Sequence, residues 1–399
     1  MKFGEILKIK DYEQSRNRSF EDQLKHILSI NYEFRRNIIS GKRQFRRYNP
    51  LPSEQSEWLA FTDDIFNTIW SNLRANDDFK KVTESDLRRV IESDYSISYD
   101  PIKDYFDSLP VWDGQTDHIK DLAMLVKAKP GQEGNWYLYL SRWFIAMVAT
   151  MLGKDINHSC LILLGPQGCG KSTFFHNLGI NNDLTYTGHI IPGDRDSKIM
   201  TAEKTLINLD ELESSTREDW SFIKSLVTLP HITVRRPYAK HAEELTRLAS
   251  FCGSANKLQL LGDLTGSRRW LCVEIDEINY LGLTDELKRN VYSQARELYY
   301  QRCKYWFDGD EINEIDKSNQ VFCEVCHENE ALQILFKPIS SKSFTASYLT
   351  STEILYELNK EFPTIRFGQK KLGNVLKNLG FERIKHDGLY KYAVERLNG

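Results

Sequence analysis

The sequence predicts an α/β fold in which short buried strands alternate with amphipathic helices. Three observations lead to this prediction. Apolar runs recur along the middle of the chain and are separated by segments with helical spacing. A glycine-rich turn joins the first of these runs to a helical segment, and an acidic pair follows the next clear run. We therefore expect a mainly parallel sheet with helices on both faces, with strands at residues 160–164, 204–209, 248–253 and 270–275.

Length and composition restrict the class of protein. The chain has 399 residues, a formal net charge of −3 and seven cysteines. An odd number of cysteines without framework spacing is typical of reduced thiols. No apolar run is long enough to span a bilayer, and the amino end does not resemble a signal peptide. We expect a cytoplasmic protein that makes no membrane contact.

The region before the first core strand is predicted to be mainly helical and polar. Within it, residues 31–50 interleave aromatic residues with arginines. This pattern indicates either a basic hairpin or a solvated face with a few anchoring aromatics, and the sequence does not separate the two. A turn-rich break at residues 108–114 indicates a domain boundary. Residues 136–152 are apolar nearly all round, which predicts a helix buried against the sheet.

The glycine-rich turn matches the complete phosphate-loop pattern, Gly165-x4-Gly170-Lys171-Ser172. Glycines let backbone N–H groups curl around phosphate oxygens, and the helix that follows adds its partial positive charge. Lys171 can reach the β and γ phosphates, and Ser172 can ligate Mg²⁺. We expect ATP and Mg²⁺ as ligands, with ATP bound by Gly165, Pro166, Gln167, Gly168, Cys169, Gly170, Lys171, Ser172 and Thr173.

ATP hydrolysis needs a carboxylate to hold the metal shell, an activated water and positive charge for the transition state. Asp210, directly after a predicted strand, is expected to hold the metal together with Ser172. Glu211 is expected to activate water. Asn256 follows the next strand and is placed to sense the γ-phosphate or hold the water.

Positive charge for the transition state is available from Arg268 and Arg269, which are candidates for an arginine finger. They lie on a short loop after the sensor strand, where they are poorly placed to reach their own nucleotide. We therefore expect donation to a neighbouring subunit, in a homo-oligomeric ring with ATP sites between subunits.

Two further segments have the charge and aromatic content of DNA-binding elements. Residues 232–240 predict a hairpin or extended loop that combines phosphate-binding charge with a stacking aromatic, as a single-strand groove requires. Its alternative is an exposed loop whose arginines pair with Glu243 and Glu244. The candidate contacts to single-stranded DNA are Arg235, Arg236, Tyr238 and Lys240.

The carboxyl-terminal segment has the outline of a winged helix, with helices at 351–362 and 368–379 and a hairpin around 386–388. Such domains usually place the second helix in a major groove. A protein-binding winged helix and a plain lid remain alternatives. The outward-facing candidates for duplex DNA are Lys370, Lys371 and Lys377.

The ordered motifs GPQGCGKST, LINLDEL, VRRPYAK, FCGSANK and TGSRRW, preceded by LPVWDG, resemble the virulence-associated protein E family, which is related to the superfamily 3 helicases. The resemblance implies an AAA+-like P-loop NTPase core, hexameric rings, 3′-to-5′ translocation on single-stranded DNA and a setting in mobile-element replication. By motif, Lys171 and Ser172 match Walker A, Asp210 and Glu211 match Walker B, Asn256 matches sensor 1, and Arg268 or Arg269 matches the finger.

We therefore predict an ATP-dependent DNA helicase or translocase that serves a prophage or other mobile element. The alternative is a DNA-associated regulatory or phage-defence ATPase without unwinding activity, and a small-molecule kinase fits less well because no acceptor pocket and lid are evident. Relatives often carry a primase domain, but the first 100 residues lack an evident acidic polymerase-type site, so we predict no primer synthesis. The predicted parts are a helical amino-terminal region (1–107), the ATPase core (108–280), a helical linker (281–340) and a winged-helix-like domain (345–399).

Overall fold

A computed structural model of the chain describes residues 19–49, 56–235, 241–261, 267–323, 327–341 and 343–397. These residues divide between two compact units. The first takes in the chain up to Leu258 and the segment that ends at Gln320. The second takes in residues 259–261 and the chain from Val321 onward. Within the described residues, no helix is long and apolar enough to cross a membrane.

The amino-terminal part of the first unit packs helices on a four-stranded sheet. Its elements are α1 (Phe20–Asn31), β1 (Tyr32–Asn37), β2 (Arg43–Arg47), β3 (Leu59–Ala60), α2 (Asp63–Arg74), α3 (Glu84–Glu92), β4 (Ile97–Tyr99) and α4 (Pro101–Asp107). The strand order is β3-β2-β1-β4. Strands β1 and β2 form an antiparallel hairpin, as the first predicted alternative has it. The hairpin also buries Tyr32, Phe34 and Phe45, so the anchoring aromatics of the second alternative are present as well. The rest of this sheet was not expected, since β4 pairs in parallel with β1 from a distant, three-residue strand.

The core of the first unit is a six-stranded sheet, which confirms the α/β class. All four predicted strands are present, with ends displaced by no more than three residues. The elements of this part of the chain, the four predicted strands included, are α5 (His118–Met124), β5 (Val126–Ala128), α6 (Glu133–Met151), β6 (Cys160–Leu164), α7 (Lys171–Leu178), β7 (Thr185–Gly188), α8 (Arg195–Glu203), β8 (Leu206–Leu209), α9 (Arg217–Thr228), β9 (His231–Val234), β10 (Glu243–Thr246), β11 (Ser250–Ala255), β12 (Trp270–Ile278), α10 (Asp285–Tyr300) and α11 (Gly309–Asn319).

The strand order of this sheet is β5-β12-β6-β11-β8-β7. All pairs are parallel except β5 with β12. Leu164, the last residue of β6, lies opposite Ala255 in β11, and Leu209, the last residue of β8, lies opposite Gly253. The chain therefore leaves β6, β8 and β11 at one edge of the sheet, which is where ligands of open parallel sheets bind.

Helix α6 packs against the sheet as its sequence predicts. Twelve of its 19 residues are buried, among them Trp143, whose indole Nε1 donates to Phe251 O at 2.9 Å. A helix without a polar face loses no solvation when it is covered on all sides, so burial is its stable arrangement. Helix α6 is thereby anchored to β11, a central strand of the sheet.

A fully buried arginine ties the β9–β10 hairpin to the core. Arg247 follows β10, and its guanidinium donates to the carbonyl oxygens of Leu229, Val227, Asn157 and Ala249. Its backbone N–H donates to Pro230 O at 2.9 Å. A buried cation needs its donors satisfied, and here backbone carbonyls satisfy them.

The second unit contains a small sheet packed on three helices. Its elements are α12 (His327–Leu335), β13 (Phe336–Pro338), β14 (Ser347–Leu349), α13 (Ser351–Glu361), α14 (Gln369–Asn378), β15 (Arg383–His386) and β16 (Leu389–Arg396). Strand β16 pairs with β13, β14 and β15, all antiparallel. Leu372 and Leu376 of α14 are fully buried in its apolar cluster together with Leu358 of α13.

Candidate functional site

The glycine-rich loop between β6 and α7 is shaped by close backbone contacts. A Cβ on Gly165 would lie 2.6 Å from Ile275 O, and one on Gly170 would lie 2.4 Å from Cδ1 of Tyr280. Gly170 also has φ +91, a conformation that side chains disfavour. The loop therefore keeps this path only with glycine at both positions.

Lys171 begins α7 and is buried, with 6% of its surface exposed. Its Nζ donates to Gly165 O at 2.8 Å, to Pro166 O at 2.7 Å and to Asn256 Oδ1 at 3.1 Å. The ammonium group is thus held against the loop's own carbonyls. An anion that enters the loop would take the place of these neutral acceptors, since charge-assisted hydrogen bonds are stronger.

Two serine hydroxyls converge on one carboxylate oxygen beside the loop. Ser172 Oγ donates to Asp210 Oδ1 at 2.6 Å, and Ser254 Oγ donates to the same oxygen at 2.5 Å. Burial alone would raise the pKa of Asp210, but these hydrogen bonds outweigh it, so the pKa lies below its usual value. Asp210 is therefore held as a carboxylate.

These oxygen atoms suit the magnesium ion expected from the sequence. Hydroxyl and carboxylate oxygens are hard ligands, and Mg²⁺ is usually held by one or two protein groups plus water and phosphate oxygens. Ser172 and Asp210 would hold the ion, which would neutralise phosphate charge. In the described part of the chain, no group of three or more His, Cys, Asp or Glu residues could hold a metal by itself.

Asn256 links the loop lysine to an acid that sequence reasoning missed. Its Nδ2 donates to Glu213 Oε1 at 2.6 Å, while its Oδ1 accepts from Lys171. Glu213 lies in the 3₁₀ turn Leu212–Ser214, directly after the acidic pair. Glu211 is exposed, with φ 52, and its backbone N–H donates to Asp210 Oδ1.

Ser254 was also not predicted as a site residue, although its position in the sequence indicates that it faces the site. It stands two positions before Asn256, and side chains two apart along a strand share a face. No comparable local rule identifies Glu213, because its link to Asn256 spans 43 residues of sequence.

The structure separates the two arginine candidates from the glycine-rich loop. Arg268 and Arg269 lie in a 3₁₀ turn before β12, and Trp270 pairs with Cys160, the first residue of β6. The loop follows the last residue of β6, so a strand length of roughly 13 Å separates the two edges. The two arginines lie instead near His158, which precedes β6. Burial lowers the pKa of this imidazole, and the charges of Arg247, Arg269 and Arg268 lower it further.

The predicted DNA contacts fall in two places. Arg235 is exposed at the end of β9, whereas Arg236, Tyr238 and Lys240 lie outside the described residues. In the second unit, the three predicted lysines of α14 are all exposed: Lys370, Lys371 and Lys377.

A comparison with known protein families identifies the family of the chain. The virulence-associated protein E-like domain matches residues 107–324, more than half of the sequence. The chain belongs to this family. The match includes the glycine-rich loop, the acids after β8, Asn256 and both arginines. No curated protein matches the sequence of this family member.

One solved structure shares the fold at low sequence identity. The apo structure of the NrS-1 C-terminal region (305–718) has a TM-score of 0.51 and 11% identity, and covers 93% of this chain and 98% of that one. An A-form apo structure of the same region has a TM-score of 0.47, 12% identity and the same coverage. At these identities the similarity concerns the fold alone.

Proposed function

We propose that this virulence-associated protein E-like chain is an ATP-dependent DNA helicase or translocase of superfamily 3 type. One observation carries the proposal: Lys171 donates to Asn256 and the adjacent Ser172 donates to Asp210, in two neighbouring hydrogen-bonded pairs at the edge where β6, β8 and β11 end. These are the residue types that phosphoryl transfer requires, at the position where open parallel sheets bind ligands.

In this proposal the glycine-rich loop is a phosphate-binding loop in an AAA+-like core. Lys171 would neutralise the β and γ phosphates, and Ser172 and Asp210 would hold Mg²⁺. Asn256 would contact the γ-phosphate or the attacking water. An acid after Asp210 would take up a proton from that water, and Glu211 is the candidate given by motif.

Separation of the loop from the arginine pair supports a ring of identical subunits. A finger must reach the transferring phosphate, and Arg268 and Arg269 lie at the opposite edge of their own sheet. Repeated head-to-tail contact would bring that edge to a neighbour's loop, and such contacts form a ring when the rotation between subunits closes. We propose a hexamer, as the family resemblance implies.

DNA would be contacted by two elements. The β9–β10 hairpin would bind single-stranded DNA through its charged and aromatic tip. The second unit, with its sheet, helices and exposed lysines on α14, fits a winged-helix domain that binds duplex DNA. A setting in prophage or mobile-element replication follows from the motif resemblance.

The test combines an ATPase assay, with and without single-stranded DNA, and unwinding of a forked duplex. We expect Mg²⁺-dependent hydrolysis that single-stranded DNA stimulates, together with ATP-dependent strand separation. DNA-stimulated hydrolysis without unwinding or translocation would favour the alternative, a regulatory or phage-defence ATPase. Absence of ATP hydrolysis under all conditions would refute both.

A further inference from the structure

The ring of Tyr280 lies against the glycine-rich loop. Tyr280 begins a 3₁₀ turn that follows β12. A Cβ on Gly170 would come within 3.3 Å of three atoms of its ring, Cδ1, Cε1 and Cγ. Gly170 is the residue before α7, so the tyrosine stands next to the amino end of that helix. The ring is only partly buried against the apolar core, so part of its surface remains accessible.

The turn that carries Tyr280 is held in place by its backbone. The N–H of Asn279 donates to Leu125 O at 2.8 Å, and Asn279 Oδ1 accepts from the N–H of Gly282 at 3.2 Å. A Cβ on Gly282 would lie 2.7 Å from Cδ2 of Leu125, so the turn rests on the residue that precedes β5. A ring on such a turn is pre-organised for a ligand, because little conformational freedom is left to lose on binding.

Two large apolar residues next to these contacts are exposed. Leu281, in the middle of the turn, is 80% exposed, and Met124, the neighbour of Leu125, is 68% exposed. Single exposed apolar residues are common, but here two of them and an accessible ring belong to segments in direct contact. Apolar surface of this kind suits a flat, weakly polar part of a ligand.

The strand order determines which end of a nucleotide would reach this surface. Strand β6 lies between β11 and β12. Asn256 and Asp210, the groups expected at the γ-phosphate and its metal ion, follow β11 and β8 on one side of the loop. Tyr280 follows β12 on the other side. A triphosphate that lies along the loop with its γ end at Asn256 would therefore direct its α-phosphate, and with it the nucleoside, toward Tyr280.

We propose that Tyr280 is the stacking platform for the base of the bound nucleotide, with Met124 and Leu281 at the border of the same subsite. The assignment rests on the proposed ATP-binding function. Every nucleobase has a π-face, so stacking on an aromatic side chain adds affinity with little discrimination between bases. The phosphate groups would be held by the glycine-rich loop, independently of this ring.

The experiment compares two ligands of the full chain by isothermal titration calorimetry in the presence of Mg²⁺. One is a non-hydrolysable ATP analogue with an unmodified base, and the other is inorganic tripolyphosphate, which has no base. Tyr280→Ala is expected to weaken binding of the analogue by about 10-fold or more. Its affinity for tripolyphosphate should stay within about threefold of wild type.

Two further variants separate stacking from structure. Tyr280→Phe keeps the aromatic face and should bind the analogue within about threefold of wild type. Tyr280→Leu keeps an apolar side chain against Gly170 without a π-face, so it should lose analogue affinity as Tyr280→Ala does, and it decides the question if the alanine variant does not fold. Tyr356→Ala removes a tyrosine that is 68% exposed on α13 and is the matched control.

The outcomes distinguish the subsite from the function on which it rests. Unchanged analogue affinity in a folded Tyr280→Ala or Tyr280→Leu protein would overturn the subsite and leave ATP binding by the loop intact. Equal losses for both ligands would also overturn it, because the tyrosine would then act through the shape of the loop, and so would a Tyr280→Phe protein that binds as weakly as Tyr280→Ala. A wild-type protein that binds neither ligand would remove both proposals.

Discussion

Ser172 Oγ donates a 2.6 Å hydrogen bond to Asp210 Oδ1 across 38 residues of sequence. The contact joins the start of α7 to the end of β8, so the hydroxyl and the carboxylate expected to share a metal ion are already at one point. Ser254 donates to the same oxygen from β11. The start of α7, the residue after β8 and strand β11 thereby contribute to one polar centre.

Ser254→Ala should move the acid limb of the Mg²⁺-ATPase activity to higher pH. The pKa of Asp210 is lowered in the folded protein, so the carboxylate is present above that pKa and is lost as pH falls through it. Removal of one hydrogen bond that lowers the pKa shifts this loss upward. The measurement is kcat/KM for ATP against pH. Ser225→Ala on α9 is the control, and an acid limb that stays in place in both variants would contradict the assignment.

Lys171→Ala should weaken ATP binding by roughly 100-fold or more, because charge-assisted hydrogen bonds of about 1.5–3 kcal/mol each are lost from the ground state. Titration of a fluorescent ATP analogue measures this. Lys154→Ala removes an exposed lysine that precedes β6 and serves as the matched control. Equal affinities for wild type and Lys171→Ala would show that the loop does not hold the nucleotide phosphates.

The core strands and α6 were predictable because each is buried and continuous in sequence. Of the amino-terminal sheet, only the β1–β2 hairpin was among the sequence-based alternatives, because β4 has three residues and pairs with a strand some 60 positions earlier. Arg247 was also beyond sequence reasoning. A lone arginine usually lies at the surface, and only the tertiary fold brings four carbonyl oxygens around this one.

Glu213 could not be predicted as a site residue for a different reason. The acidic pair Asp210-Glu211 fits the expected motif, so nothing local draws attention to an acid two residues later. The 3₁₀ turn after β8 carries Glu213 to Asn256, and neither the turn nor the long-range contact has a sequence signal. The order of the motifs could be predicted, whereas which carboxylate faces Asn256 depended on the turn.

The joint change of Lys370, Lys371 and Lys377 to alanine in the full chain should weaken duplex DNA binding. Each lost phosphate contact should lower the slope of log affinity against log salt by about one. Fluorescence anisotropy over a salt series measures both effects. A variant that carries Lys337→Ala and Lys360→Ala, two exposed lysines outside α14, is the control. Equal salt slopes in the α14 variant and wild type would place duplex binding elsewhere.

Arginine-finger variants should bind ATP yet hydrolyse it poorly, whether Arg268 or Arg269 is changed to alanine. Mixing such a variant with Lys171→Ala subunits should restore some activity, because an intact loop can meet an intact arginine across one interface. ATP turnover of the mixture is compared with the sum of its parts. Strict additivity, where subunit exchange is demonstrated, would mean that the arginines act within their own chain or only structurally.

The position of Arg247 has a mechanical consequence. Its guanidinium holds together the last turn of α9, the residue before β11 and Asn157 ahead of β6, and its own backbone ends the β9–β10 hairpin. The base of the β9–β10 hairpin is therefore attached through one cation to the sheet edge that carries Arg268 and Arg269. Loss of this guanidinium would leave four carbonyl oxygens without its hydrogen bonds and would weaken the attachment.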